Sequence, residues 1–400
     1  MKLLGPCLFF IFGFQALLAG EFKTIGGKDG RVFSLTPDLT FGTDEDEDAY
    51  IWASASTSIT ADHKGHIFIG DGASKRVLEF DEKGGYLRTV MGPGQGPGEL
   101  VNLLDFKVLT SGAATSIERV GQGITARMQH FDPNMKYSRS QSGSLILEGP
   151  VLSPQGDRFA AFYVSHDRKS GLTHYQTALF SSDFKPIKIF TDKTGPLPDR
   201  SKISDPGYWA TRLGDNLKRF YSGVHVFNFD REGRLYSART DRYEVIRWSL
   251  DLKKEKAFKR EYRPVPNSDE EIAAYMESLS QQVREDPDLA AIVSDSVMER
   301  AVKLSEPPPV KNPIFGMVVT SEGTLLVIHD VNLVTRESTA DVFTAEGQYV
   351  GAITLPDFAF VRPLAGLYLP KMVFRNGFAY TILTDDKGDN RAVRYRVSLK

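Results

Sequence analysis

The chain has 400 residues, 41% of them hydrophobic and 25% charged, with 49 basic against 51 acidic side chains. These proportions belong to a globular chain of one to three domains and argue against a disordered tail, a collagen-like fibre or a multi-span membrane protein. A net charge of -2 offers no single-sign field to draw in nucleic acid, while 35 Gly, 21 Pro, 26 Phe and 15 Tyr favour an all-β fold of short strands joined by tight turns.

The first twenty residues carry one positive charge, Lys2, then an apolar stretch from Leu3 to Leu18, then Ala19-Gly20 ahead of Glu21. This is the pattern of a secretory signal peptide, and the apolar run is shorter than the ~20 residues that span a bilayer. An exported chain, periplasmic or extracellular, with no stable membrane insertion after cleavage, is expected. Cys7 is the single cysteine, so cleavage leaves no thiol for a disulfide or a cysteine-ligated metal. The acidic run 44–48 lacks the spaced carboxylates and central glycine of a calcium loop and reads as a solvated segment.

An internal repeat follows. The segment from Asp62 through Gly65 and Ile67, continuing as Arg76-Val-Leu-Glu-Phe80, aligns without gaps on Asp230 through Gly233 and Leu235, continuing as Glu244-Val-Ile-Arg-Trp248, at a constant offset of 168. A third copy starts at Ser321-Glu-Gly323 and resumes at Asp341, and weaker copies occur at 128–132 and at 152–156 with 178–183. Each reads as strands separated by turns that open with Asp or Ser and close with Gly, the chemistry of tight hairpins. A four-stranded antiparallel sheet per copy cannot bury both faces alone, so copies must stack, and radial closure leaves only short edges. At roughly 40–50 residues per unit there is room for about six, a six-bladed β-propeller.

The stretch Asp62–Asp71, then Arg76–Gly84, then the Gly-rich turn Gly92–Glu99, resembles the repeat of bacterial NHL-type six-bladed propellers, whose units pair a D-x-x-G-x-I-Y-V-x-D strand with an R-I-x-x-F strand. The first copy matches nearly throughout and the later ones in part. The resemblance implies a propeller from about residue 31 to the end, with 31–43 adding a strand to the last blade. Fold likeness leaves function open, because such propellers serve as lyases, lactonase-like enzymes, receptor ectodomains and protein-binding scaffolds. The Gly-rich turn lacks the strand-to-helix context of a phosphate cradle and reads as a connection between blades.

Between Pro264 and Pro313 the repeat is interrupted. Ser268-Asp-Glu-Glu271 forms a capping box ahead of Ile272, Met276, Leu279 and Val283, the spacing of one helical face. Asp286-Pro287 offers a second helix start, and Pro307–Pro309 ends it, so a helical hairpin of about 266–305 is inserted before a late blade of one propeller domain, 21–400. The run 385–390 between two apolar segments reads as the turn of the final hairpin.

Candidate site residues come from the repeat register. Asp71, Arg239 and His329 occupy equivalent places at the end of the second strand in three copies, and His225 opens an innermost strand, so the four are expected at the channel mouth on the upper face. Two histidines and a carboxylate can hold a divalent ion, and an arginine beside them can stabilise an oxyanion. The seven histidines, at 63, 66, 130, 166, 174, 225 and 329, nevertheless form no local ligand motif, and neither a G-x-S-x-G elbow nor a mature cysteine is present. The favoured expectation is therefore a monomeric, non-enzymatic binding or scaffold module without metal or cofactor, taking a protein or carbohydrate ligand on the upper face and no nucleic acid. The alternative is a metal-dependent lyase or lactonase-like hydrolase using the same four residues.

Overall fold

Turn chemistry sets the local unit. Asp62 Oδ1 accepts hydrogen bonds from the backbone N–H of Lys64 (2.8 Å) and His66 (2.9 Å), and Gly65 closes the turn at φ 92°, where a side chain would be strained. Asp230 repeats the device on the N–H of Arg234 (2.9 Å). The strands that follow are buried on both faces, as in Ile67–Asp71, buried along its whole length. Apolar residues therefore occupy both faces of such strands instead of alternating with polar ones.

The computed structural model describes residues 22–25, 30–42, 48–52, 57–121, 125–202, 204–221, 223–285, 290, 293–306, 308–332, 334–335, 337–356, 359–362, 367–370, 372–384 and 389–400. The expected signal peptide, the acidic run 44–47, the helix start at Asp286-Pro287 and most of the turn 385–390 lie outside them.

The strands form six antiparallel blades around a central channel, the first five built outward in chain order, and Ala359–Arg362 pairs with Leu367–Pro370 as a separate hairpin. Blade 1 holds Ser58–Ala61, Ile67–Asp71, Arg76–Phe80 and Tyr86–Met91. Blade 2 holds Leu103–Val108, Ala114–Val120, Thr125–Phe131 and Tyr137–Gly143, and blade 3 holds Ile146–Leu152, Arg158–Asp167, Leu172–Ser181 and Pro186–Pro196. Blade 4 comprises His225–Phe229, Leu235–Arg239, Val245–Trp248 and Lys254–Phe258, and blade 5 comprises Gly316–Val319, Leu325–Asn332, Glu337–Phe343 and Tyr349–Pro356. Blade 6 runs Val373–Arg375, Phe378–Thr384 and Asn390–Leu399, its fourth strand is the amino-terminal Phe33–Phe41, and Phe22–Lys23 adds a short fifth at the outer edge. The fold is the six-bladed propeller that the repeats imply.

Closure of the ring is a long-range pairing of the two ends. Phe33 lies opposite Leu399 and Phe41 opposite Ala392, with a bulge between Pro37 and Leu39, a break in the ladder where a residue without an N–H is tolerated. Asp38, within that bulge, takes the guanidiniums of Arg394 (Nε 2.6 Å) and Arg396 (Nε 2.7 Å). Each blade meets the next through a buried apolar cluster, such as Phe68, Val77 and Met91 of blade 1 against Leu103, Phe106 and Phe131 of blade 2. Stability is thus distributed around the ring, one core per blade junction.

The junction of blades 5 and 6 is covered by three helices, α1 (Pro206–Tyr221), α2 (Asp269–Glu285) and α3 (Asp295–Ser305). Helix α2 starts on the expected capping box: Glu271 N–H donates to Ser268 Oγ (3.1 Å) and Ser268 N–H to Glu271 Oε2 (3.2 Å). Helix α3 begins after Ser294, whose side chain makes no capping hydrogen bond, and buries Val297, Met298 and Ala301. Helix α1 was not anticipated from the sequence, although Asp205 caps it through the N–H of Gly207 (2.8 Å) and Pro206 takes its first position. Ala210, Leu213 and Leu217 supply its buried face, a spacing readable in retrospect.

Candidate functional site

The upper face carries the loops between second and third strands and the connections between blades; the lower face carries the remaining turns. Asp71 ends the second strand of blade 1 opposite Arg76 and is fully buried. Its carboxylate accepts from the backbone N–H of Trp52 (3.2 Å) and Ser74 (3.1 Å) and from Arg76 Nε (3.5 Å). Arg76 in turn donates to the carbonyls of Tyr50 (2.5 Å) and Asp48 (3.3 Å). The pair clamps the segment leading into blade 1.

Blade 2 repeats this arrangement with Glu118, which occupies the same repeat position and lies opposite Arg127. Glu118 accepts from Val101 N–H (2.9 Å), Arg127 Nε (2.9 Å) and Gln129 Nε2 (2.7 Å), and Arg127 holds the carbonyls of Gln95 (2.8 Å) and Glu99 (3.0 Å). The Gly-rich turn is therefore a clamped connection between blades, as its sequence context suggests. Loop backbone turned inward needs partners, and this repeat position supplies them.

Arg239 and His225 are engaged as well, whereas both ring nitrogens of His329 are buried without a hydrogen-bond partner. Arg239 is ion-paired with Asp241 (Nε–Oδ1 2.9 Å) and lies directly across the ladder from His225. His225 shares a hydrogen bond with Thr191 Oγ1 (2.5 Å) and stacks on Phe227 at 6.0 Å. Burial and then the charge of Arg239 push its pKa down to about 4, so the ring is neutral at ordinary pH. His329 sits at a bulge of blade 5, Nε2 3.6 Å from Asp341 Oδ1, and burial lowers its pKa as well. Asp341 accepts from Tyr243 and Arg260 and is itself fully buried. The structure thus brings His225 and Arg239 together on blade 4, leaves Asp71 three blades away, and places His329 in the next blade; of the four, His225 lines the channel. Among the described residues no group of three or more His, Cys, Asp and Glu is arranged to hold a metal ion.

The channel is a cavity of about 230 Å³ lined by the innermost strand of every blade. The inner edges of these strands have no further strand to pair with, so side chains bridge them. Ser58 Oγ accepts from Phe106 N–H (3.2 Å), Lys107 Nζ donates to the Leu152 carbonyl (2.8 Å), and Asn228 Nδ2 donates to the Met317 carbonyl (3.1 Å). Asp105 and Lys107, two apart and hence on one face of the same strand, both reach the cavity. Burial raises the Asp105 carboxyl to about 6 against the opposing pull of Lys107, and burial lowers the Lys107 ammonium. Arg375 at the lower end of blade 6 reaches the Leu109 carbonyl (3.3 Å), and Asn376 the Asp62 carbonyl (3.0 Å). Sequence reasoning passed over Asp105, Lys107 and Arg375. The usable signal was a pair of charges two residues apart inside the apolar run Leu103–Val108.

The upper face also presents Trp52, 56% exposed, with its backbone held by Asp71 and its ring edge-on to Tyr50 at 4.8 Å. Among the described residues no helix is long and apolar enough to cross a membrane.

Comparison with known proteins bears on the architecture. The model of the DUF5128 family, described as a 6-bladed beta-propeller, matches residues 56–119, which span blade 1 and the first half of blade 2. No curated protein matches the chain. A Bacteroides fragilis protein to which export is ascribed is similar in structure, with 12% identity over 94% of this chain and 98% of its own and a TM-score of 0.51. A DUF4221 family member from Bacteroides vulgatus has 12% identity over 92% and 98% of the two chains at a TM-score of 0.46. A gluconolactonase from Xanthomonas campestris has 10% identity over 95% of each chain at 0.42. At such identities the likeness is one of fold, and the fold is a six-bladed β-propeller.

Proposed function

We propose that this chain is an exported binding module, an NHL-type propeller acting as a monomer, whose protein or carbohydrate ligand docks on the upper face against Trp52 and the channel mouth at His225. The observation that carries the reading is Trp52, a large aromatic left in solvent while its backbone is fixed by a fully buried carboxylate. Exposed, pre-positioned Trp is the side chain that most often anchors a partner, because it gives wide apolar contact at small cost in conformational entropy. Export is supported by the charge, apolar run and small residues of segment 1–20.

The enzyme alternative requires its groups to converge. Asp71 and Arg239 are instead engaged in structural pairs, and His225 and His329 belong to different blades. The test is to probe the purified full chain and its Trp52→Ala variant on a glycan array and a peptide array. Retention of a ligand by the wild type and its loss in the variant, with unchanged thermal unfolding, supports the proposal. A ligand bound equally by both, or turnover of a lactone abolished by His225→Ala, would sink it.

A further inference from the structure

The lower half of the channel carries a surplus of hydrogen-bond donors that the fold does not use. Lys107 has three N–H groups and directs one to the Leu152 carbonyl; Arg375 has five and directs one to the Leu109 carbonyl. Arg231, in the lower turn of blade 4, lines the same cavity, and its guanidinium lies near enough to Arg375 to depress that group's pKa, after burial. None of the three cations lies within ion-pairing distance of a carboxylate among the described residues: Asp105 faces Lys107, Asp62 attracts Arg375 from the rim while its Oδ1 holds the N–H groups of its own turn, and Asp230, which also lines the cavity, is paired with Arg234. Gathering three cations in a partly enclosed space with no carboxylate in direct contact is unfavourable in an empty channel and becomes favourable when an anion enters.

We propose that the lower channel is a binding site for a small carboxylate, held by Lys107, Arg375 and Arg231. The volume of about 230 Å³ falls below the range of roughly 300–1,000 Å³ that takes drug-sized ligands, so the fitting class is a compact organic acid. Asp105 selects a monocarboxylate over a phosphate dianion: it stands beside Lys107, and a doubly charged guest held there would face it. A carboxylate can instead share a proton with it, which its raised pKa of about 6 favours. The guanidiniums add the fork geometry that matches two carboxylate oxygens. This site is on the face opposite Trp52 and does not depend on the upper-face reading.

The test is a titration of the full chain at constant ionic strength with acetate, propionate and lactate, with inorganic phosphate and sulfate as the competing anions, followed by calorimetry and thermal unfolding. Saturable binding of at least one carboxylate is expected. It should weaken about tenfold in Arg231→Ala, the loss expected of one charge-assisted contact, and vanish in Lys107→Met. Arg231 is exposed at the rim, so its variant is expected to fold even if removing Lys107 unsettles the channel. Absence of saturable binding by all three carboxylates, equal binding by wild type and Arg231→Ala, or tighter binding of phosphate or sulfate than of any carboxylate would each overturn the proposal.

Discussion

Replacing Glu118 with alanine tests whether the repeat position shared by Asp71, Glu118, Arg239 and His329 is used for architecture in blades 1 and 2. Glu118 is fully buried and accepts three hydrogen bonds, from Val101 N–H, Arg127 Nε and Gln129 Nε2. Breaking a buried ion pair by removing one partner costs about 3–5 kcal/mol, because the surviving charge is stranded. Here Arg127 keeps the carbonyls of Gln95 and Glu99, so the lower end, about 3 kcal/mol, is expected. Adding Arg127→Met removes the stranded cation, so the double variant should be more stable than the sum of the single effects by about 1–2 kcal/mol. Urea unfolding followed by tyrosine and tryptophan fluorescence gives both numbers, provided the slope with denaturant is unchanged. A loss below 1 kcal/mol for Glu118→Ala, or strict additivity in the double variant, would refute the clamp.

Two further outcomes follow from the same geometry. His225, lowered to about 4 by burial and Arg239, is neutral when folded, so its contribution is present above pH 6.5 and is lost as pH falls towards 4. Asp105, raised to about 6 by burial, has the opposite sign: protonation favours the folded state, so stability falls as pH rises from about 4 to 6. Each amounts to at most about 3 kcal/mol, and together they make the wild-type profile shallow between pH 4 and 6. Unfolding measured across that window should rise towards acid in His225→Gln and fall more steeply in Asp105→Asn; parallel profiles for all three proteins would contradict both assignments. At the ring closure, Leu35 is fully buried on the amino-terminal strand, and Leu35→Ala should cost about 2–5 kcal/mol in calorimetric unfolding. An effect near zero would mean that the strand Phe33–Phe41 contributes little to holding the ring shut.

The repeat makes the architecture legible in the sequence. Asp62 with Gly65, repeated at Asp230 with Gly233, encodes its turn in local chemistry, and the run Ile67–Asp71 declares a strand buried on both faces. Capping chemistry at Ser268 and Glu271 likewise located α2, because both partners lie within one helical turn. Even the ring closure could be anticipated, since the apolar Phe33 and Leu35 precede the first copy and need a sheet to cover them.

Only the tertiary structure decided what those positions face. Equivalence along the repeat placed Asp71, Arg239 and His329 together on paper, but in a ring equivalent positions are separated by rotation, and each meets its own blade connection. Asp71 turned to a backbone segment, Arg239 to Asp241 and His329 to Asp341. Conversely, Asp105, Lys107, Arg231 and Arg375 come from three different blades with no common motif, and they share a cavity because all six innermost strands converge on one axis. Short-range hydrogen bonding and burial periodicity are written in the order of residues; convergence at the centre of a closed ring is a property of its closure.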